Sequence, residues 1–202
     1  MLYTIPIKNV IREGHVPYSI SLGLPDLIQW VSETEIKTVL DVGAGAGLYS
    51  DGLKGKVDKI DALEVFEHYI GRFNLSAKYD NVILGDAREH TDFNYDLVIL
   101  GDVIEHMKRE EAVALWCKIS QQAKYAFISM PIGECTQHGQ FYDHENDITI
   151  ENPYEEHVEP ESTLEEILAK FPCIFKHKLY DIENVATFGV YFQIGAFYAK
   201  FK

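Results

Sequence analysis

The chain has 202 residues, enough for one domain with a sizeable core. At 47% hydrophobic and 25% charged it is globular rather than disordered, and no run of about 18 apolar residues predicts a membrane span. A formal net charge of −14 without a Lys/Arg cluster disfavours nucleic acid, and the three scattered cysteines (Cys117, Cys135, Cys173) form neither a disulfide framework nor a zinc cluster. These features point to a cytoplasmic protein with a small-molecule partner.

Residues 1–24 have little periodicity and read as an N-terminal arm, in which His15 and Tyr18 are either near an acceptor or on an ordinary surface loop. Residues 25–32 read as a helix, with proline in its first turn and Leu27, Ile28 and Val31 as its apolar stripe. The apolar run Val39, Leu40, Val42 then reads as a buried strand. It leads into Asp41-x-Gly43-x-Gly45-x-Gly47 and a helical run over 48–53. Strand, glycine loop and helix open a nucleotide-binding α/β unit, in which the backbone turns sharply and a ligand comes close to the main chain. The spacing is not the G-x-G-x-x-G of dinucleotide binders.

A second strand over 59–63 ends at Glu64, before a helical run over 65–75. An acidic residue about 20 positions past the loop can accept hydrogen bonds from both ribose hydroxyls. Glu64 is chosen for that role. Asp61 is the alternative, directed by strand alternation to another face. A strand over 81–84 precedes Gly85-Asp86-Ala87, and a nearly all-apolar strand over 95–100 precedes Gly101-Asp102-Val103-Ile104-Glu105-His106. A helix over 110–123 and a strand over 125–130, closed by Pro131, follow.

Residues 131–161 form a long irregular stretch with His138, His144 and His157, expected to be a lid or acceptor-binding insertion. Ser162-x-x-Glu165 reads as a capping box for a helix to Phe171. Runs over 173–182 and 188–199 read as an antiparallel hairpin at the sheet edge.

The glycine pattern and the element order resemble class I S-adenosylmethionine (SAM) dependent methyltransferases, over about residue 39 to the C-terminus. The resemblance implies a single α/β domain over 1–202. Its sheet would be seven-stranded, Rossmann-like and mostly parallel, with an antiparallel C-terminal hairpin and helices on both faces. It also implies SAM as cofactor, bound by Asp41, Gly43, Gly45, Gly47, Glu64, Asp86 and Ala87. Asp86 would lie near the adenine amino group, and the Ala87 N–H would face an adenine nitrogen.

Asp102, Glu105 and His106 follow the fourth strand, at the end of the sheet where acceptors bind in this fold. A helical turn starting at Asp102 would put all three on one face. Two arrangements are open. In one, Asp102 is an N-cap, Glu105 completes its capping box and His106 is a packing or base residue. In the other, Asp102, Glu105, His106 and His157 form a hard divalent-metal site. The second resembles the acid-x-x-Glu-His string of metal-using O-methyltransferases, such as those of ubiquinone biosynthesis and the plant small-RNA 2′-O-methyltransferase. Here the first acid is Asp rather than Glu, so no metal is assigned and the four residues stand as the alternative.

Asp102, His106 and His157 are the candidate catalytic residues, with either histidine as base. No Asp/Asn-Pro-Pro-Tyr/Phe tetrapeptide is present, and Met130-Pro131-Ile132 at the end of the fifth strand lacks the cysteine of a Pro-Cys nucleophile pair. The reading is a SAM-dependent methyltransferase acting on an oxygen or nitrogen of a small polar acceptor. Its alternatives are a metal-assisted RNA 2′-O-methyltransferase, a non-catalytic SAM-binding module and a nicotinamide-binding domain.

Overall fold

The computed structural model describes residues 21–135, 137, 139–143, 148–158, 161–181 and 192–202. Its strands are β1 (Thr38–Val42), β2 (Lys59–Glu64), β3 (Asn81–Leu84), β4 (Leu97–Gly101), β5 (Tyr125–Glu134), β6 (Gln140–Asp143), β7 (Ile148–Glu151), β8 (Glu161–Ser162), β9 (Ile174–Asp181) and β10 (Phe192–Lys200). The helices are α1 (Leu24–Glu33), α2 (Leu48–Leu53), α3 (Glu67–Arg72), α4 (Leu75–Lys78), α5 (Arg109–Gln122) and α6 (Leu164–Lys170).

Alternation of side chains explains why the central strands carry apolar residues on both faces. Val39, Leu97 and Ile99 point to one face of the sheet, where they pack with Leu27, Trp30 and Val31 of α1 and Tyr49 and Leu53 of α2. Leu40, Val42, Val98 and Leu100 point to the other, against Leu115, Trp116 and Ile119 of α5 and Ile167 of α6. A strand covered on both faces has no solvent side, so it needs no polar alternate.

Seven strands run in the order β3-β2-β1-β4-β5-β10-β9, and the short β8 pairs with the end of β5. β1 to β5 are mutually parallel, whereas β10 is antiparallel to both its neighbours. The mixed seven-stranded sheet expected from the element order is therefore present. Between β1 and β4 the strand order reverses, and such a reversal opens a crevice at the carboxyl ends of the two strands.

Four local expectations differ from the structure. The helix expected over 65–75 is split into α3 and α4, because Asn74 takes a left-handed conformation (φ 50) that no helix interior allows. Pro131 does not close β5, which continues to Glu134. The Ser129 carbonyl accepts from Asp102 N on the β4 side, so alternation turns Pro131 to that same side, where β4 has already ended. No ladder donor is missed there. The capping box lies one residue later, at Thr163 and Glu166, with Ser162 in β8. The stretch 131–161 is not structureless, since β6 and β7 pair as an antiparallel ribbon within it.

The C-terminal pair is antiparallel as expected, although 182–191 lie outside the described residues. So do residues 1–20, with His15 and Tyr18, and also His138 and His144. No helix among the described residues is long and apolar enough to cross a membrane.

Gly101 ends β4 with the buried Tyr49 ring lying where its Cβ would be, so this position has no room for a side chain. Gly101→Ala is expected to destabilise the fold by about 1–3 kcal/mol, as overpacking does. Urea unfolding checks this, and a variant as stable as the parent would contradict it.

Candidate functional site

Two loops meet at the crevice. The first is the glycine loop between β1 and α2, where Gly43, Gly45 and Gly47 all have positive φ (68, 49 and 83). A Cβ on Gly43 would stand 2.7 Å from Val103 Cγ2 of the second loop, and one on Gly47 would stand 2.6 Å from Lys78 Cδ. Gly43 is held to glycine by close approach as well as by φ, whereas at Gly47 the positive φ is the constraint, since Lys78 is a flexible side chain. Lys78 braces the loop by donating to the Ala46 carbonyl (2.9 Å) and to Asp51 (2.8 Å).

Asp41 lies inside β1 and is fully buried. The Tyr79 hydroxyl donates to its Oδ2, and Oδ1 has no hydrogen-bond partner among the described residues. Burial pushes its carboxyl up to about 7, opposed by the Tyr79 hydrogen bond and aided by the charge of Glu64. Glu64, at the end of β2, reaches the glycine loop. Its Oε2 accepts from Gly45 N (2.9 Å) and its Oε1 from Phe66 N (2.9 Å). Burial raises its pKa while these backbone donors lower it. Asp61, the alternative, is buried away from the loop, bound to Lys59 Nζ (2.5 Å) and the Tyr95 hydroxyl (2.6 Å).

Asp86 is held in a fork by Arg88, with Nε 3.0 Å from each oxygen and Nη2 2.5 Å from Oδ2. The Arg88 hydrogen bonds hold its carboxyl below the usual range. An adenine amino group at Asp86 would share that carboxylate with Arg88. Ala87 is buried in the larger core cluster.

The second loop follows β4. Asp102 has φ 52 and does not cap a helix; the turn that follows is a short 3-10 helix, Ile104–His106, with Val103 at its N-cap. The capping-box arrangement of Asp102 and Glu105 is therefore not formed. Glu105 is 3% exposed, and neither of its carboxylate oxygens has a hydrogen-bond partner among the described residues. Burial pushes its pKa well up, and the charges of Asp102 and Glu155 add to the rise.

His157 comes from the 131–161 stretch to join this loop. The stretch is tied to the turn by Val158 N donating to the Glu105 carbonyl (2.9 Å), and His157 N donates to the Gln137 carbonyl (3.1 Å). The two imidazoles meet edge to face, with centroids 4.9 Å apart. His157 Nδ1 lies 2.7 Å from the Cys135 carbonyl, and His106 Nδ1 lies 3.1 Å from the Glu156 carbonyl. A carbonyl only accepts, so each Nδ1 carries the proton and each Nε2 keeps a lone pair. Burial lowers both pKa values, that of His106 to about 4, so both rings are neutral near pH 7.

One ligand atom from each of Glu105, His106 and His157 falls within 4.8 Å of the others. Asp102 is outside that group of three. Unpartnered carboxylate oxygens beside two neutral imidazoles, each steadied through its other nitrogen, fit a divalent cation.

Three residues at the site escaped the sequence reading: Tyr49, Tyr79 and Glu155. Tyr49 is buried, with its hydroxyl facing the charges of Asp102, Asp41 and Glu105. Glu155 Oε1 accepts from the Tyr69 hydroxyl (3.1 Å), and its Oε2 accepts from Gln137 Nε2 (3.0 Å). Burial, aided by the charges of Glu64 and Asp102, pushes its carboxyl up to about 7. Of the three, Tyr49 follows the glycine loop and Glu155 stands two residues before His157. Tyr79 reaches the site through long-range packing.

No protein-family model matches the chain, and no curated protein matches it. Solved structures do. A SAM-dependent methyltransferase from Clostridium acetobutylicum aligns with 88% of this chain and 89% of its own, at TM-score 0.64 and 14% identity. Magnesium protoporphyrin IX methyltransferase from Synechocystis, solved with bound SAM, aligns with 94% of this chain and 88% of its own, at TM-score 0.58 and 17% identity. The N-terminal domain of EvdMO1, solved with S-adenosylhomocysteine (SAH), aligns with 90% of this chain and 82% of its own, at TM-score 0.60 and 13% identity. The chain thus has the fold of SAM-dependent methyltransferases.

The position of Asp41 makes the site visible in stability. Its carboxyl goes from an ordinary 3.8 to about 7 on folding, so between those values the folded protein binds a proton that the unfolded chain lacks. Stability from this group falls as pH rises through that window and levels off above about 7. Asp41→Asn removes the titration while keeping an acceptor for Tyr79. Between pH 5.5 and 8 the wild type is expected to lose about 2 kcal/mol relative to the variant. An unfolding difference that does not change with pH would contradict it.

Proposed function

We propose that this protein is a SAM-dependent methyltransferase acting on an oxygen or nitrogen of a small polar acceptor, such as a sugar or a metabolite. The observation that carries the reading is the meeting of two groups across one crevice. The glycine loop and Glu64 stand on one side, and the Asp102–His106 loop with His157 stands on the other. Support for the cofactor comes from solved structures of the same fold that hold SAM or SAH. Asp41, Gly43, Gly45, Gly47, Glu64, Asp86 and Ala87 are its proposed ligands. Residues 131–161, docked on α3 where Ile150 packs with Tyr69, Phe66 and Phe73, are the proposed acceptor-binding insertion. Three unpaired cysteines accord with a cytoplasmic site of action.

In this reaction an acceptor lone pair attacks the methyl carbon in line with the breaking carbon–sulfur bond. The bonding pair stays on sulfur, and SAM becomes SAH. The protein orients the two partners and removes the acceptor's proton. His157 Nε2 is the proposed proton acceptor, with His106 beside it and Asp102 framing the acceptor. Their Nδ1 contacts to backbone carbonyls fix the tautomer this requires.

The unpartnered Glu105 oxygens favour a second reading of the same residues. Glu105, His106 and His157 would hold a divalent cation, which when bound lowers the pKa of a hydroxyl beside it. An RNA acceptor under this reading is opposed by the net charge of −14.

Transfer of labelled methyl from SAM to a panel of hydroxyl and amine acceptors tests the proposal. His157→Gln is expected to lower kcat by about 10²–10⁴-fold while leaving SAM affinity unchanged. Equal loss of SAM affinity would sink the base assignment. Activity that survives chelation keeps the imidazole as the sole agent. Activity lost on chelation and restored by a divalent ion assigns these residues to the cation.

A further inference from the structure

Within the 131–161 stretch, residues 150–158 join the two sides of the crevice. Ile150 seats on α3 in a small apolar cluster with Tyr69, Phe66 and Phe73. On the other side Val158 N donates to the Glu105 carbonyl (2.9 Å), and the Glu156 carbonyl lies 3.1 Å from His106 Nδ1. α3 follows β2 and the Ile104–His106 turn follows β4, with β1 between those two strands. Residues 150–158 therefore cross the carboxyl end of β1, where the glycine loop starts, over about 10 Å, two strand spacings.

A series of direct contacts runs through this crossing. Glu64 Oε1 accepts from Phe66 N (2.9 Å), and the Phe66 ring meets the Tyr69 ring edge to face with centroids 4.8 Å apart. The Tyr69 hydroxyl donates to Glu155 Oε1 (3.1 Å). Gln137 Nε2 donates to Glu155 Oε2 (3.0 Å) and to the Glu155 carbonyl (2.9 Å), and the Gln137 backbone carbonyl accepts from His157 N (3.1 Å). The turn before Glu155 is stiff. Asn152, 1% exposed, accepts from Tyr154 N through its Oδ1 (3.1 Å), and Glu155 N donates to the Asn152 carbonyl (3.1 Å). Tyr69 is where the series passes from α3 to the crossing segment, and it does so through its hydroxyl.

We propose that Tyr69 is a positioning residue that couples cofactor occupancy at Glu64 to the placement of His157. This rests on the methyltransferase reading above. Ribose hydroxyls donating to the Glu64 carboxylate hold it in the orientation that also holds Phe66 N, and so fix the start of α3. The Tyr69 hydroxyl passes that order to Glu155, and Gln137 passes it to His157. The coupling works by ordering the crossing segment and needs no change of its path. His157 is thus held for proton removal when cofactor is bound, and is freer when the site is empty.

The test is amide hydrogen exchange of the full chain, with and without saturating SAH, in wild type and Tyr69→Phe. Phenylalanine keeps the ring and its packing with Phe66 and Ile150 and removes only the hydroxyl, so the variant is expected to fold. In wild type SAH is expected to slow exchange at 43–50 and also, by about tenfold, at 150–158, a usual size for coupling between sites. In Tyr69→Phe the protection at 43–50 is expected to remain, while the ratio of exchange without and with SAH at 150–158 falls below about twofold. If SAH protects 43–50 but not 150–158 in wild type, the inference is overturned while the cofactor assignment stands. The same holds if Tyr69→Phe keeps the wild-type ratio at 150–158, even with faster exchange in both states, since Tyr69 would then only pack. If SAH protects no segment of the wild type, the inference and the cofactor assignment are both overturned.

Discussion

The reversal of strand order between β1 and β4 is the constraint on which the rest of the structure depends. Connections leave these two neighbours towards opposite edges of the sheet, which opens a crevice at their carboxyl ends. The glycine loop and the Asp102–His106 loop are brought side by side by that topology alone. Their contact is close enough that Gly43 leaves room only for the Val103 side chain. The apolar strands and two-sided helix packing make the reversal rigid, with Val39 and Leu40 anchoring opposite faces one residue apart.

Charge is the second organising fact. Asp41, Glu64, Glu105 and Glu155 are withdrawn from water near one another, and in each case burial is the main force raising the pKa. The fold tolerates this through neutral donors: Tyr79 to Asp41, the Gly45 and Phe66 amides to Glu64, and Tyr69 and Gln137 to Glu155. Glu105 has no such donor among the described residues. A site so built is poised for positively charged partners, whether a sulfonium, an ammonium or a metal ion, and disfavours phosphate-rich ones.

Much of this was legible in the sequence because the signals are local. Alternating glycines after an apolar run, a carboxylate at the end of the next strand, and Asp-x-x-Glu-His after a fourth strand are each short patterns with a physical cause. What escaped was set by distant contacts. Asn74 breaks a helix that propensity alone would carry through, and Pro131 sits mid-strand because β4 stops short of it. The capping box moved by one residue since Ser162 is drawn into β8. Glu155 accepts from Tyr69 across 86 positions, and Tyr79 meets Asp41 across 38 positions. No window of sequence contains those pairs.

The most direct measurement is a structure of the protein soaked or co-crystallised with SAM. The expected result is SAM across the β1–β4 crevice, with its ribose hydroxyls on the Glu64 carboxylate and its methyl group directed at His157 and Asp102. SAM bound elsewhere, or no occupancy at concentrations that saturate other proteins of this fold, would contradict the assignment of the crevice as a methyl-transfer site.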